Sequence, residues 1–250
     1  AATATALAAC STSPTQRGEP DPRITPERAS RFLQQAAFGA TPALIQEVQH
    51  LGYEGWLDQQ LALPVSPSHV DWMREQGYLD VKHRNNFAGV DNTLWRKLFT
   101  APDVLRQRVA LALSEIFVVS MQGLGGVWRG PMAAHYMDVL EQQAFGPYRQ
   151  LLQAITLSPA MGLYLNMRGN QKGDPATGRM PDENYAREIL QLFSIGLVEL
   201  QADGTPRGGK AQETYNQQTV SELARVFTGW VFDRFNRDDP AWTMRPLVFV

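Results

Sequence analysis

The sequence is poor in the residues that build covalent and metal cross-links. It contains one cysteine, Cys10, and four histidines in 250 residues. The histidines lie far apart and form no His-x-His or His-x-x-x-His pair; they are His50, His69, His83 and His135. One cysteine cannot form a disulfide within the chain or a cysteine-based zinc site. The sequence therefore predicts no metal site and leaves the cofactor open.

Clusters of like charge and long apolar runs are also missing. The 23 lysines and arginines nearly balance the 25 aspartates and glutamates, which gives a net charge of −2. No run of basic residues forms the footprint that phosphate backbones require, so nucleic acid is excluded as a partner class. No stretch approaches the roughly 20 apolar residues of a membrane span. Because 44% of the residues are hydrophobic, most of the chain is expected to bury a core.

The first ten residues end in Leu7, two alanines and Cys10. This pattern has the form of a bacterial lipobox, in which small residues fit the signal peptidase and the cysteine thiol takes the lipid. The alternative is an alanine-rich tail that carries a chance thiol. We predict that residues 1–10 are the end of a lipoprotein signal peptide and that Cys10 is the lipidation residue.

The segment that follows Cys10 has the composition of a tether. Residues 11–24 hold three prolines and little apolar bulk, which is typical of a flexible linker. Ser11, rather than aspartate, follows the cysteine, and this resembles the signal for the outer membrane. We therefore expect an exported protein that a lipid anchors in the bacterial envelope, with the membrane contacted through that anchor only.

Most of the chain after residue 24 repeats apolar residues at helical spacing. Thr25 followed by Pro26 is typical of a helix start, since threonine caps free N–H groups and proline fits the first turn. Few segments alternate as strands do. We predict an all-α fold: an irregular multi-helix bundle with long Gly/Pro-rich loops, preceded by a disordered stalk. Residues 25–250 form a single helical domain in this interpretation, and we expect the natural chain to continue past residue 250.

The segment PDENYAREILQLFSIG, residues 181–196, predicts a helix over residues 182–195 that Gly196 closes, with one apolar and one polar face. The apolar face carries Tyr185, Ile189, Leu192 and Phe193. Glu183 lies four residues before Arg187, the order that favours a helical ion pair. Asn184 lies four residues before Glu188, so its amide is placed to orient one carboxylate oxygen. A long Gly/Pro-rich loop precedes the helix, and such loops often present polar groups at a cleft.

A later helical segment repeats this chemistry with Ser221, Glu222 and Arg225. Two helices that each carry an acid and an arginine beside an apolar stripe are placed to form a four-charge network. Three interpretations of the polar face remain open: a solvated surface, a buried structural network, and a ligand or catalytic site.

In the catalytic interpretation, the residues of the site are Glu188, Arg187, Asn184, Glu183 and Arg225. Glu188 serves as the acid or base, Asn184 orients it, and Arg187 fixes the charge. A second candidate pair, His135 and Asp138, lies three residues apart on one helix. Such a histidine is more often a partly buried, hydrogen-bonded residue than an acid–base catalyst.

Several motifs together resemble the bacterial family called domain of unknown function 1800. They are ASRFLQQAAFGAT, LRQRVALALSEIFVVS, AFGPYRQLLQAITLSPAMGLYLN, PDENYAREILQLFSIGL, ADGTP and ELARVFTGW. The resemblance runs in order from about residue 26 to residue 230. It implies an exported, largely helical protein with no established reaction. It also implies a partner or a shared substrate with a sulfatase-like protein of a second family of unknown function, number 1501, whose members are often encoded beside this one.

The resemblance has one departure that bears on function. Some members carry two histidines at the positions that Ser114 and Ile116 occupy here, so no metal role of those histidines transfers to this chain. The family normally runs on well past residue 230, and part of a site is expected there.

Two functions follow from these observations. The first is an envelope-attached enzyme that acts on a polysaccharide or another envelope polymer through the Glu/Arg/Asn site. The alternative is a non-catalytic binding or assembly protein that works with the sulfatase-like partner.

Overall fold

The computed structural model describes residues 21–250. The predicted lipidation residue Cys10 and most of the predicted linker lie outside the described residues. The described chain is 54% helical and 4% strand, which confirms the predicted all-α class. No helix in this part of the chain is both long and apolar enough to cross a membrane.

Ten α-helices are present in the described residues. They are α1 (Pro26–Ala36), α2 (Pro42–Ala62), α3 (His69–Glu75), α4 (Val90–Thr100), α5 (Val104–Ile116), α6 (Arg129–Gln143), α7 (Tyr148–Thr156), α8 (Pro159–Tyr164), α9 (Asn184–Gln191) and α10 (Gln217–Val226). Two short antiparallel strands follow, β1 (Trp230–Val231) and β2 (Val248–Phe249).

The chain divides into two compact units, one that ends at Gln59 and one from Gln60 to Val250. In the first unit, the hydroxyl of Thr25 accepts a hydrogen bond from the backbone N–H of Arg28 and caps α1, as its sequence predicts. Gly52 interrupts α2 with a φ of 73°, a conformation that glycine adopts without strain.

The second unit is built around α6. This helix is buried along most of its length, and its core side chains include Met132, Tyr136 and Leu140. Helices α3, α4, α5, α7 and α8 pack around it. Apolar residues occur on all sides of α6, which is the pattern of a helix that neighbours cover all round. Polar side chains of α6 are therefore buried as well.

Helices α9 and α10 pack against each other in the same unit. Ala186 of α9 and Val220 and Ala224 of α10 form the apolar contact between them. The side chain of Asn216 accepts a hydrogen bond from the backbone N–H of Thr219 and caps α10.

The helix predicted over residues 182–195 is shorter in the structure. It ends at Gln191, and the backbone N–H of Gly196 donates to the carbonyl of Leu190 over 2.9 Å. The C-cap residue is Leu192, whose backbone N–H donates to the carbonyl of Glu188 over 2.9 Å. Gly196, with a φ of 73°, forms a left-handed turn beyond the end of the helix. Residues 192–200 leave the helix and run along the surface.

Candidate functional site

Glu183 holds α9 to α10 through its carboxylate. The hydroxyl of Ser221 donates to Oε1 over 2.6 Å, and the amide of Gln217 donates to Oε2 over 2.7 Å. Arg187 donates to the same Oε2 over 3.0 Å. The hydrogen bonds from Ser221 and Gln217, more than the charge of Arg187, lower the pKa of Glu183 below its usual value. This carboxylate is therefore ionised at neutral pH and unsuited to donate a proton.

Arg187, Glu183 and Gln217 are mutually hydrogen-bonded. The guanidinium of Arg187 also donates to the side-chain oxygen of Gln217 over 3.2 Å. The predicted ion pair between Glu183 and Arg187 is formed, but the partners on α10 are Gln217 and Ser221. The structure shows no ion pair between these two residues and Glu222 or Arg225 within residues 21–250. The two side chains remain 30% and 41% exposed, so the pair contributes about 1 kcal/mol or less.

The remaining predicted site residues do not join this network. Glu188 Oε2 is buried and accepts no hydrogen bond from any described residue. The backbone N–H of Asn184 donates to the carboxylate of Asp182 over 2.8 Å, and the side chain of Asn184 has no hydrogen bond to Glu188 in the described chain. Arg225 is exposed and lines a separate cleft with the loop of residues 172–181. The structure therefore brings together two of the five residues, Glu183 and Arg187.

A second polar network lies in the core and was not predicted. His69, Lys97, Asp138 and Glu141 are each at most 3% exposed. The ring of His69 uses both nitrogens: Nδ1 lies 3.0 Å from the hydroxyl of Thr93, and Nε2 lies 2.7 Å from Glu141 Oε1. Lys97 Nζ donates to Glu141 Oε2 and lies 3.6 Å from Asp138 Oδ1. The network joins α3, α4 and α6.

Asp138 also fixes the start of α3. Its two carboxylate oxygens accept the backbone N–H groups of His69 and Val70 over 2.6 and 3.2 Å. These N–H groups have no partner inside the helix, so the carboxylate supplies one from another element. Burial raises the pKa of Asp138 above its ordinary value, and the hydrogen bonds and positive charges offset only part of that rise.

The pKa of Glu141 shifts in the direction opposite to that of Asp138. Burial alone raises its pKa, but the hydrogen bond and charge of His69, together with the Lys97 ammonium, outweigh burial and hold the pKa of Glu141 below its ordinary value. Two carboxylates of one helix thus differ in their protonation behaviour because their hydrogen-bond donors differ.

The donor set of this network is compatible with a metal, since one ligand atom each from His69, Asp138 and Glu141 lies within 4.8 Å of the others. Lys97, however, already places a positive charge against both carboxylates. This arrangement is that of a buried ion network. Buried charges of this kind are stable when they are paired and hydrogen-bonded.

The sequence offers only a weak signal for this network. His69 and Glu141 are separated by 72 residues. Thr93 and Lys97, four residues apart, and Asp138 and Glu141, three apart, share faces of their helices. Polar pairs on otherwise apolar faces are the one local hint. Of the predicted pair His135 and Asp138, the second belongs to this network, and no hydrogen bond joins the two in the described chain.

An exposed apolar surface follows the end of α9. We call it the leucine face and define it by Leu192, Ile195, Leu197 and Leu200, which are 59%, 52%, 54% and 56% exposed. All four line one open groove of about 910 Å³. Contiguous groups of large exposed apolar side chains occur often at interaction surfaces of proteins.

The comparisons with known proteins give one match. The model of the family described as "Protein of unknown function (DUF1800)" matches residues 31–248. This match confirms the resemblance seen in the motifs. No curated protein and no solved structure matches the chain significantly.

Proposed function

We propose that this chain, which belongs to the DUF1800 family, is a non-catalytic binding and assembly protein of the bacterial envelope. In this proposal the lipid on Cys10 attaches it to the outer membrane and the leucine face docks a protein partner. The observation that carries the proposal is the exposure of four large apolar side chains in one groove. The Glu183–Arg187 network then serves to hold α9 and α10 together behind that face.

The backbone of the leucine face is held in place by hydrogen bonds to another segment of the same chain. Thr214 N–H donates to the carbonyl of Leu197 over 3.2 Å, and Glu199 N–H donates to that of Gln212 over 2.9 Å. The turn beyond Leu200 is closed by the N–H of Gln201, which donates to Thr205 over 2.8 Å. A surface that is ordered before binding loses less entropy when it docks, which supports a role in recognition.

The composition of the groove fits a protein partner. Its apolar centre is flanked by the polar side chains Gln191, Glu199 and Arg207, and an apolar centre with a polar rim is the anatomy of a protein interface. The family resemblance points to the sulfatase-like protein of family 1501 as that partner. An anchor on Cys10 would place this chain outside the cytoplasm, so the partner must be exported as well.

The variant Leu197→Asp tests this proposal. A buried charge at the centre of an interface is expected to weaken binding about 30-fold or more. The measurement is co-purification of the sulfatase-like protein from intact envelopes with full-length parent and variant. Phe99→Asp is the matched control, because Phe99 is apolar and 79% exposed but lies outside the leucine face.

We expect the parent and Phe99→Asp to retain the partner and Leu197→Asp to lose it. Equal recovery with all three proteins, or recovery with none, contradicts the proposed role of the leucine face. Melting temperatures of the three proteins show whether a loss reflects unfolding, and a second variant, Ile195→Asp, is expected to behave as Leu197→Asp does.

One observation favours a second candidate function, catalysis on an envelope polymer. Glu188 Oε2 is buried and has no hydrogen-bond partner among residues 21–250. Leaving a buried carboxylate oxygen unsatisfied costs free energy, and a bound substrate group that donates a hydrogen bond to it would remove that cost. Catalysis remains second because neither Arg187 nor Arg225 has an ion pair with Glu188 in that part of the chain.

Glu188→Gln separates the two functions. If the chain is a binding protein, the variant is expected to restore the phenotype of a deletion strain fully, with unchanged or slightly raised thermal stability. The amide keeps the shape of the side chain and removes only its charge and acid–base chemistry. A folded Glu188→Gln protein that fails to restore the phenotype, while still recovering the partner, would instead support catalysis.

A further inference from the structure

A second cleft, of about 500 Å³, lies between α6, α7 and residues 244–246. Two glutamines of α6 and two of α7 line it: Gln142, Gln143, Gln150 and Gln153. None of the four side-chain amides has a hydrogen-bond partner among the described residues. Each amide offers both a donor and an acceptor, so the cleft presents uncommitted groups of both kinds to a bound molecule.

Ser158 adds an unsatisfied group to the same cleft. It is only 4% exposed, and its hydroxyl has no hydrogen-bond partner in the described chain. Ser158 occupies the position before α8 where a serine usually caps the helix, yet its side chain makes no capping hydrogen bond. A buried hydroxyl without a partner is costly, and a ligand whose entry shifts the lining side chains enough to reach it would remove that cost.

His135 lines the cleft as a neutral group. Burial lowers its pKa below the ordinary value, and the charge of Asp138 offsets only part of the effect. A neutral imidazole provides one donor and one acceptor. His135 therefore matches the glutamines in character and contributes no fixed charge.

Arg245 is the one fully charged side chain among the lining residues of this cleft. It lies 4.0 Å from Asp233 through Nε and is 38% exposed. No described residue accepts a hydrogen bond from its guanidinium, so its terminal nitrogens are available to an anion. No aspartate or glutamate lines the cleft in this part of the chain.

We propose that this cleft binds a small molecule that carries one carboxylate and at least one amide, the chemistry of a peptide C-terminus. The carboxylate pairs with Arg245 in the geometry that guanidinium groups favour. The peptide amide hydrogen-bonds to the glutamine side chains and to Ser158. Short side chains fit against Val139 and Leu157, which line the same cleft. The site is separate from the leucine face.

The test is a calorimetric titration of the full-length protein with N-acetyl-alanyl-alanine. Two further probes test which group is recognised. The first is the same dipeptide with a C-terminal amide in place of the carboxylate. The second is N-acetylglucosamine, which has no carboxylate and carries a sugar in place of the peptide. We expect saturable binding of the dipeptide acid and at least about tenfold weaker binding of the other two probes.

Arg245→Gln is expected to weaken binding of the dipeptide acid to the level of its amide. The matched control is Arg234→Gln, because Arg234 lies 3.8 Å from the same Asp233 but does not line the cleft. Ser158→Ala is expected to weaken binding without lowering the melting temperature, since its hydroxyl has no partner in the protein.

Absence of saturable binding by the parent overturns the proposal, as does equal affinity for the acid and its amide. Stronger binding of N-acetylglucosamine than of the dipeptide also overturns it and identifies a sugar cleft. Recovery of the sulfatase-like partner is expected to be the same for Arg245→Gln and the parent. Failure of the peptide-binding proposal can therefore be distinguished from failure of the proposed docking function.

Discussion

Replacing Lys97 with methionine is expected to lower the free energy of unfolding by about 3–5 kcal/mol. Lys97 is 1% exposed, donates to Glu141 and lies 3.6 Å from Asp138. Methionine fills a similar volume but leaves two buried carboxylates without the ammonium that balances them. Urea-induced unfolding followed by circular dichroism measures the difference.

Lys82→Met is the matched control for this prediction. Lys82 also faces a carboxylate, that of Asp80 at 3.5 Å, but its side chain is 67% exposed. Exposed pairs contribute little, so the control is expected to change stability by less than about 1 kcal/mol. A loss of less than about 1 kcal/mol for Lys97→Met would contradict the description of this network as a set of paired buried charges.

Glu141→Gln is expected to cost about 3–5 kcal/mol at pH 7 and less as the pH falls. The folded protein holds the pKa of Glu141 below its ordinary value of 4.5. The ionised carboxylate therefore stabilises the folded state above about that pH, and this stabilisation is lost as the pH falls through the folded pKa. Urea unfolding of parent and variant between neutral and acidic pH measures the trend.

Asp138→Asn provides the comparison on the same helix, because the pKa of Asp138 is raised from 3.8. Folding disfavours the ionised form of Asp138. The parent therefore loses stability from this group as the pH rises from the ordinary pKa of 3.8 through the raised pKa of the folded state. The cost of Asp138→Asn is therefore expected to be smaller at pH 7 than in acid, the opposite trend. Parallel pH trends in the two variants would show that the assigned directions are wrong.

The parts of the fold that depend on local sequence were predictable. Thr25 caps its helix as predicted, because a capping side chain acts within three residues of its own position. The pair of Glu183 and Arg187 forms for the same reason, since four residues on a helix bring two side chains together.

Features that depend on tertiary packing were not predictable. The partners of Glu183 on α10 are decided by how two helices cross, and this selected Gln217 and Ser221 rather than the charged residues nearby. The contact of His69 with Glu141 spans 72 residues and needs α3 and α6 to pack first. The sequence predicts a helix that runs to residue 195 with Gly196 as its stop, but α9 ends at Gln191. The helical spacing of Leu192 and Phe193 gives no local sign of this earlier end.

The most direct test of the proposed docking function is site-specific photo-crosslinking in intact envelopes. A photoreactive amino acid is placed at position 197 in the full-length protein, and at position 99 in a control. If the leucine face docks the partner, position 197 gives a discrete adduct that contains the sulfatase-like protein, and position 99 does not. Adducts of that protein at both positions, or at neither, would contradict the account.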